Sequence, residues 1–341
     1  MNITGKTIIA GLFSALATGA AADEQLVMNT FFGPTYFLYK PIVEWTEDVA
    51  KATNGRVTIS IPAGSLTPPP KMVSSVRTGI ADIGITANIF FQQQVPELSF
   101  PSLPFQISDA EAASVAVRET YDEFLADKKP MNRLGVELLS IVAFNAAHLY
   151  SVNGGAIDSI EELKSRRMWS LPGYTTDLIV NLGITPVTGP AVMLNEHVSK
   201  GVLDAYFGVG PDAVTDFNVL SYTDGVTVFP TGVSTATFSI FINENVWKRL
   251  SEEDRAAIAS VSGVEFSRKI GAAAQAYAND AMARIADAGA EVIDASDVFY
   301  AAMQEAAVPI YNSFYEATAA QGVDGKALVK SFRDNYAKAA K

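Results

Sequence analysis

Two consecutive arginines, Arg166 and Arg167, stand just ahead of Trp169 in the stretch 163–173, which lies between two helix signals. A guanidinium fork grips a carboxylate through two parallel hydrogen bonds. An indole attracts cations to its face and offers a single N–H donor. Which of these side chains meets a ligand therefore sets the sign of the ligand to be expected. Catalytic chemistry is poorly provided for. The two histidines, His148 and His197, lie on separate segments, and the chain has no cysteine and no Gly-x-Ser-x-Gly elbow. That leaves no nucleophile with a base in view and no ligand set for zinc. No cofactor and no metal are expected.

Composition narrows the class further. Lys6, the uncharged and mostly apolar run 7–17, and Ala20-Ala21-Ala22 before Asp23 have the layout of a secretory signal peptide covering residues 1–22. The run is shorter than the roughly 20 residues that a bilayer span requires. With 37 acidic against 25 basic residues the formal net charge is −12, and removal of Lys6 makes it more negative. Such a balance without basic runs excludes a nucleic-acid partner and favours a soluble monomer. No cysteine follows the signal, so no lipid anchor is expected there, and a freely diffusing Gram-negative periplasmic protein is the resulting reading.

The elements that position these groups alternate in type. Residues 27–32 form an apolar strand candidate ending at Gly33-Pro34. Residues 41–53 carry Ile42, Trp45 and Val49 at helical spacing and end at Asn54-Gly55, a left-handed cap. Residues 56–61 alternate with period two, and 62–70 is a proline-rich loop. A helix at 71–78 and a strand at 80–85 follow, the layout of a doubly wound α/β unit whose ligands sit at strand carboxyl ends. Residues 136–144 read as a strand buried on both faces, and Ser159 with Glu162 as a capping box. Further strands are expected at 203–207, 226–229 and 237–242. Helices are expected at 175–182, 297–320 and 325–339, with a long alanine-rich helical region running from the Ser251 cap to about residue 288.

In this order, over nearly the whole chain after residue 22, several motifs resemble the solute-binding proteins of TRAP (tripartite ATP-independent periplasmic) transporters. They are Thr53-Asn54-Gly55-Arg56, Val76-Arg77-Thr78-Gly79-Ile80-Ala81-Asp82-Ile83-Gly84, Pro96 with Leu103-Pro104-Phe105, Lys164 after the capped helix, Gly201-Val202-Leu203-Asp204, and Leu250-Ser251-Glu252-Glu253-Asp254-Arg255. The resemblance implies an α/β, two-lobed periplasmic binding protein clamshell with a long helix spanning both lobes. It would close on a small polar solute and deliver it to TRAP membrane permease subunits, without catalysis. Lobe I is expected to comprise 23–145 and 234–275, and lobe II 146–233 and 276–341.

The resemblance also implies where the ligand should bind, and there this chain departs from the pattern. The carboxylate-anchoring arginine of such proteins falls on Trp169, a second arginine position holds His148, and the usual asparagine is Gly208. Met193 and Asn195 stand where a glutamate and a tyrosine are usual. A desolvated carboxylate without a charged partner costs several kcal/mol, so an amine or neutral hydroxylated solute is the leading expectation. Its site would be built from Trp169, Phe90 and Tyr206, with His148, Phe31, Phe91, Tyr174, Phe207 and Asp212. Phe32 and Tyr36 share their loop placement, and Asp177 and Asp216 are further acids within reach. The alternative is an organic acid held through Arg166, Arg167 or Arg77. Two competing classes are an exported hydrolase using the same cleft and a purely structural periplasmic protein.

Overall fold

The computed structural model describes residues 24–341, so the expected signal peptide lies outside the described residues. The strands are β1 (Glu24–Asn29), β2 (Val57–Ser60), β3 (Ile83–Ala87), β4 (Val136–Ala146), β5 (His148–Ser151), β6 (Met168–Ser170), β7 (Val187–Thr188), β8 (Ala205–Val209), β9 (Gly225–Val228), β10 (Thr235–Asn243) and β11 (Glu291–Asp294). Two mixed sheets result, ordered β2-β1-β3-β10-β4 and β11-β9-β5-β8-β6-β7. The parallel pairs come from strand–helix–strand units such as β1, helix Tyr39–Ala52 and β2. The long strands β4 and β10 pair antiparallel at the edge of the first sheet, and β5 runs antiparallel to both β8 and β9 in the second.

Local chemistry explains most of these elements. Helix Tyr39–Ala52 buries Ile42, Trp45 and Val49 on one stripe, and its end is turned by Asn54 (φ 52°) and Gly55 (φ 82°) in the left-handed region. Ser159 Oγ accepts the Glu162 N–H, and Ser251 Oγ accepts the Asp254 N–H, as N-caps do. β3, buried throughout as Ile-Gly-Ile-Thr-Ala, has both faces covered. One helix, Ala110–Phe124, is not legible from strong apolar periodicity. Its packed face is alanine-rich (Ala110, Ala113, Ala116, Val117), and its start is set by Asp109, whose side chain accepts the Ala112 N–H at 2.7 Å.

The chain crosses twice between the two sheets. β4 passes into β5 through Ala147, and 229–234 returns from β9 to β10. These two crossover segments are tied together: Ala147 N–H donates to Ser234 O, and Val233 N–H to Ala147 O, both at 2.9 Å. The alanine-rich region is two helices, Glu252–Ser260 and Val264–Asp287, bent at 261–263. The second crosses Ala110–Phe124 closely because Gly271 has no side chain. A Cβ there would lie 2.5 Å from Ala110 O. Farther along, Tyr277 of the same helix donates to Asp216 of helix Pro211–Asp216, so the helix braces both sheets. The closing helix Gly325–Ala339 lies against helix Ala110–Phe124. Asn335 bonds Thr120 at 3.1 Å, and the Tyr336 hydroxyl accepts the N–H groups of Ser108 and Asp109. Its apolar stripe of Leu328, Val329 and Phe332 finds its complement on helix Ala110–Phe124 and on Phe100, 5.2 Å from Phe332.

Candidate functional site

Between the sheets, at the carboxyl ends of β3 and β8, lies a cavity of about 100 Å³. It is of the same order as the roughly 150 Å³ apolar cavity known to admit benzene. Its walls are aromatic. Phe31, Phe32 and Tyr36 come from the turn after β1, Phe90 from the turn after β3, Phe144 from β4, Phe238 from β10, and Phe217 from the end of helix Pro211–Asp216. Phe32 stacks on Tyr36 at 4.4 Å and Phe144 on Phe238 at 4.2 Å, which holds the rings as two rigid slabs. The floor is backbone from Gly208, Val209 and Gly210, and Leu171, Pro190 and Ala191 close the far side.

Two polar side chains line this cavity besides the Tyr36 phenol: Asn145 and Asp212, 4% and 8% exposed. Asn145 Nδ2 donates to Asp212 Oδ1 at 2.9 Å, while Asn145 Oδ1 is buried without a partner. Burial pushes the Asp212 carboxyl up to about 6, partly offset by the Asn145 hydrogen bond. Burial, and then the Asp212 and Asp216 carboxylates, hold the Tyr36 phenol well above its ordinary value. No arginine or lysine lines the cavity among the described residues.

Of the residues expected from sequence, Phe31, Phe90 and Asp212 meet on this cavity, joined by Phe32 and Tyr36. The others are placed elsewhere. Trp169 and Tyr206 are both fully buried at mid-strand, in register on β6 and β8. With Tyr150 of β5, stacked on Tyr206 at 4.8 Å, they make a ladder of rings packed with Leu194 and Val198 in the core of the second sheet. Phe207 points to the opposite face of β8, and Phe91 and Tyr174 pack in the core shared by both lobes. His148 lies beside a second, polar cavity with Ser108, Gln275 and Asn279, which meets the first only at Asn145. Its Nδ1 accepts the Phe229 N–H at 3.3 Å, and burial lowers its pKa to about 4, keeping the ring neutral.

The acids and arginines named as alternatives also have other tasks. Asp216 is engaged by Tyr277, and Asp177 is exposed in the first turn of helix Tyr174–Asn181. Arg167 forks onto Asp204 (2.7 and 2.8 Å), which holds that carboxyl well below the usual range. Arg166 is spent on Glu162 and on Asn153 O. Arg77 is exposed at the end of helix Met72–Arg77, away from the cavity wall. An anion anchor through these arginines is therefore not provided at the cavity. The reason is positional: binding surface forms at strand carboxyl ends, whereas Arg166 and Arg167 precede β6. Phe144, Phe217, Phe238 and Asn145 were missed as a group. The only sequence signal for Phe144 and Phe238 is their place near the ends of strands that approach the crossover segments.

Gly208 explains one departure in the sequence. Its φ is 87°, and a Cβ would lie 2.6 Å from Thr175 Cγ2, so the cavity floor at this point is bare backbone. Gly208→Asn, which restores the residue usual in similar proteins, is expected to lower stability by about 1–3 kcal/mol through overpacking. Urea denaturation measures it, and an unchanged midpoint would contradict the assignment.

Two sheets joined by paired crossover segments, with a ring-lined cavity between them, define the class of the protein as a solute-binding fold. The chain belongs to bacterial extracellular solute-binding protein family 7, whose sequence profile matches residues 28–318. A TRAP periplasmic solute-binding protein from Bordetella bronchiseptica with bound (R)- and (S)-mandelate superposes with a TM-score of 0.84 at 26% identity, covering 92% of this chain and 99% of that one. A marine metagenome TRAP solute-binding protein specific for aromatic acids, in complex with 3-hydroxybenzoate, gives 0.82 at 25% identity over 94% and 100%. The Comamonas testosteroni protein named outer membrane transporter protein TsaT is 29% identical over 340 residues, 98% of each chain.

Proposed function

We propose that this protein is the periplasmic receptor of a TRAP transporter for a small, single-ring aromatic compound of the organic-acid class, which it passes to membrane permease subunits. The observation that carries this reading is the cavity itself: two stacked aromatic pairs enclosing a ring-sized space. The relatives at 26% and 25% identity were solved with mandelate and 3-hydroxybenzoate, and this agrees with it. Removing a ring from water at about 25 cal/mol per Å² supplies the binding energy. No arginine or lysine among the described residues lines the wall to pair with the acid group, so binding is expected to depend little on salt.

The expectation of an amine loses its principal support, because Trp169 is core and no indole face meets the cavity. Asp212 alone favours a donor-bearing solute. Thermal denaturation and calorimetry with benzoate, 3-hydroxybenzoate, mandelate, succinate and benzylamine test the reading. An aromatic acid at a hundredfold excess over its Kd is expected to add roughly 2.7 kcal/mol to stability and to raise Tm by several degrees. Stabilisation by succinate alone, or by benzylamine alone, would overturn it.

A further inference from the structure

We propose that Asp212 is the specificity-determining acceptor of this cavity, taking a hydrogen bond from an O–H or N–H donor carried on the solute's ring. The inference rests on the aromatic cavity being the solute site. Its basis is an imbalance in the polar groups. Asp212 and Asn145 meet on the cavity wall, where the Asn145 amide donates to Asp212 Oδ1 and the Tyr36 phenol also faces the carboxyl. Acceptor capacity still exceeds these two donors: the carboxylate's two oxygens offer about four sites, and Asn145 Oδ1 is buried and unpartnered. A bare ring entering here strips water from these acceptors and returns nothing, which is the costly half of a broken hydrogen bond. A ring with a hydroxyl or amine returns the bond.

The charged and titratable groups around Asp212 leave this role to it. On its own helix, Asp216 is held by Tyr277 from helix Val264–Asp287, and Arg284 of that helix lies 5.6 Å over the Tyr277 ring and pairs with Asp280 at 3.0 Å. From the turn after β1, the Tyr36 phenol faces Asp212; from β5, Tyr150 lies behind it, and His148 is neutral with its Nδ1 taken by Phe229. No cation neutralises Asp212 directly among the described residues. Its carboxyl, raised to about 6 by burial, is ionised above neutral pH and is then the stronger acceptor.

Calorimetric titration of the full-length mature protein with benzoate, 3-hydroxybenzoate, 3-methoxybenzoate and benzylamine, in wild type and Asp212→Asn, decides the matter. The hydroxyl compound is expected to bind about tenfold or more tightly than its methoxy analogue, the scale of one hydrogen bond to a charged group. In Asp212→Asn this advantage shrinks. Tightest binding by benzylamine overturns the organic-acid reading, and the inference with it. Wild type titrated near pH 6 in two buffers of different ionisation enthalpy gives an independent reading, since a donor that favours the carboxylate releases protons. Equal affinity for hydroxy and methoxy rings, or proton uptake in place of release, overturns the role of Asp212 while leaving the aromatic cavity intact. If none of the four compounds binds, the reading of the cavity fails, and the inference falls with it.

Discussion

Trp169→Ala is expected to lower the unfolding free energy by about 3–5 kcal/mol, the range for emptying a buried aromatic site. Trp169 is 0% exposed and stands in register between Tyr206 of β8 and Val187 of β7. Alanine would leave a void beneath Leu194 and Val198 and unseat the Tyr150–Tyr206 stack. Trp169→Phe should cost much less, because the ring face is kept and the indole N–H lost is one that has no hydrogen-bond partner. In that variant the affinity for the aromatic solute should stay within about threefold, under 1 kcal/mol, since Trp169 is not part of the cavity wall. Urea denaturation and calorimetry on both variants measure the two effects. A large loss of affinity with unchanged stability in Trp169→Phe would put the indole back at the solute.

Asp212→Asn is expected to stabilise the empty protein near neutral pH while weakening it as a receptor. The folded-state carboxyl titrates near 6 against an ordinary value of 3.8. The native state therefore holds its proton over a range where the unfolded chain has released it. Stability attributable to this group is full below about pH 4 and falls as pH rises through 6. The gap between the folded and ordinary values corresponds to a penalty on the order of 3 kcal/mol at pH 7. His148, lowered to about 4, works in the opposite sense: its contribution is full above the ordinary histidine value and is lost as pH falls towards 4. The difference in stability between Asp212→Asn and wild type cancels the histidine and isolates the aspartate. That difference should be largest above pH 7 and vanish below pH 4. A flat difference across this range would mean that Asp212 is not strained by burial. A cost of this kind, retained in a binding cavity, is the usual exchange of stability for function.

Much of the scaffold was legible because it is written in local patterns. The helical spacing of Ile42, Trp45 and Val49, the caps at Ser159 and Ser251, and the glycine turn at Asn54-Gly55 each specify their geometry within a few residues. Helix Ala110–Phe124 is poorly legible because alanine carries too little hydrophobic contrast to mark a face, and much of what covers it comes from helices 165 and 215 residues away at Gln275 and Asn335. The site was half legible. Phe31, Phe32, Tyr36 and Phe90 follow strand ends and so fall where an α/β sheet opens. Trp169 and Tyr206 sit on equally short strands, but one to three residues earlier, which places them within the sheet.

What the sequence determined by itself is the class of molecule: a two-lobed binding scaffold and its family, in a chain without cysteine. Those features depend on residue types and on near neighbours. Only the tertiary structure decided which groups meet on the cavity. Period-two alternation tells that Trp169 and Ser170 point to opposite faces, but not which face is covered. Leu194, Val198 and Tyr206 cover one of them and make Trp169 core. By the same long-range packing, Asn145 of β4 and Asp212 of helix Pro211–Asp216, 67 residues apart in the chain, come within 2.9 Å in a cavity that no lysine or arginine among the described residues lines.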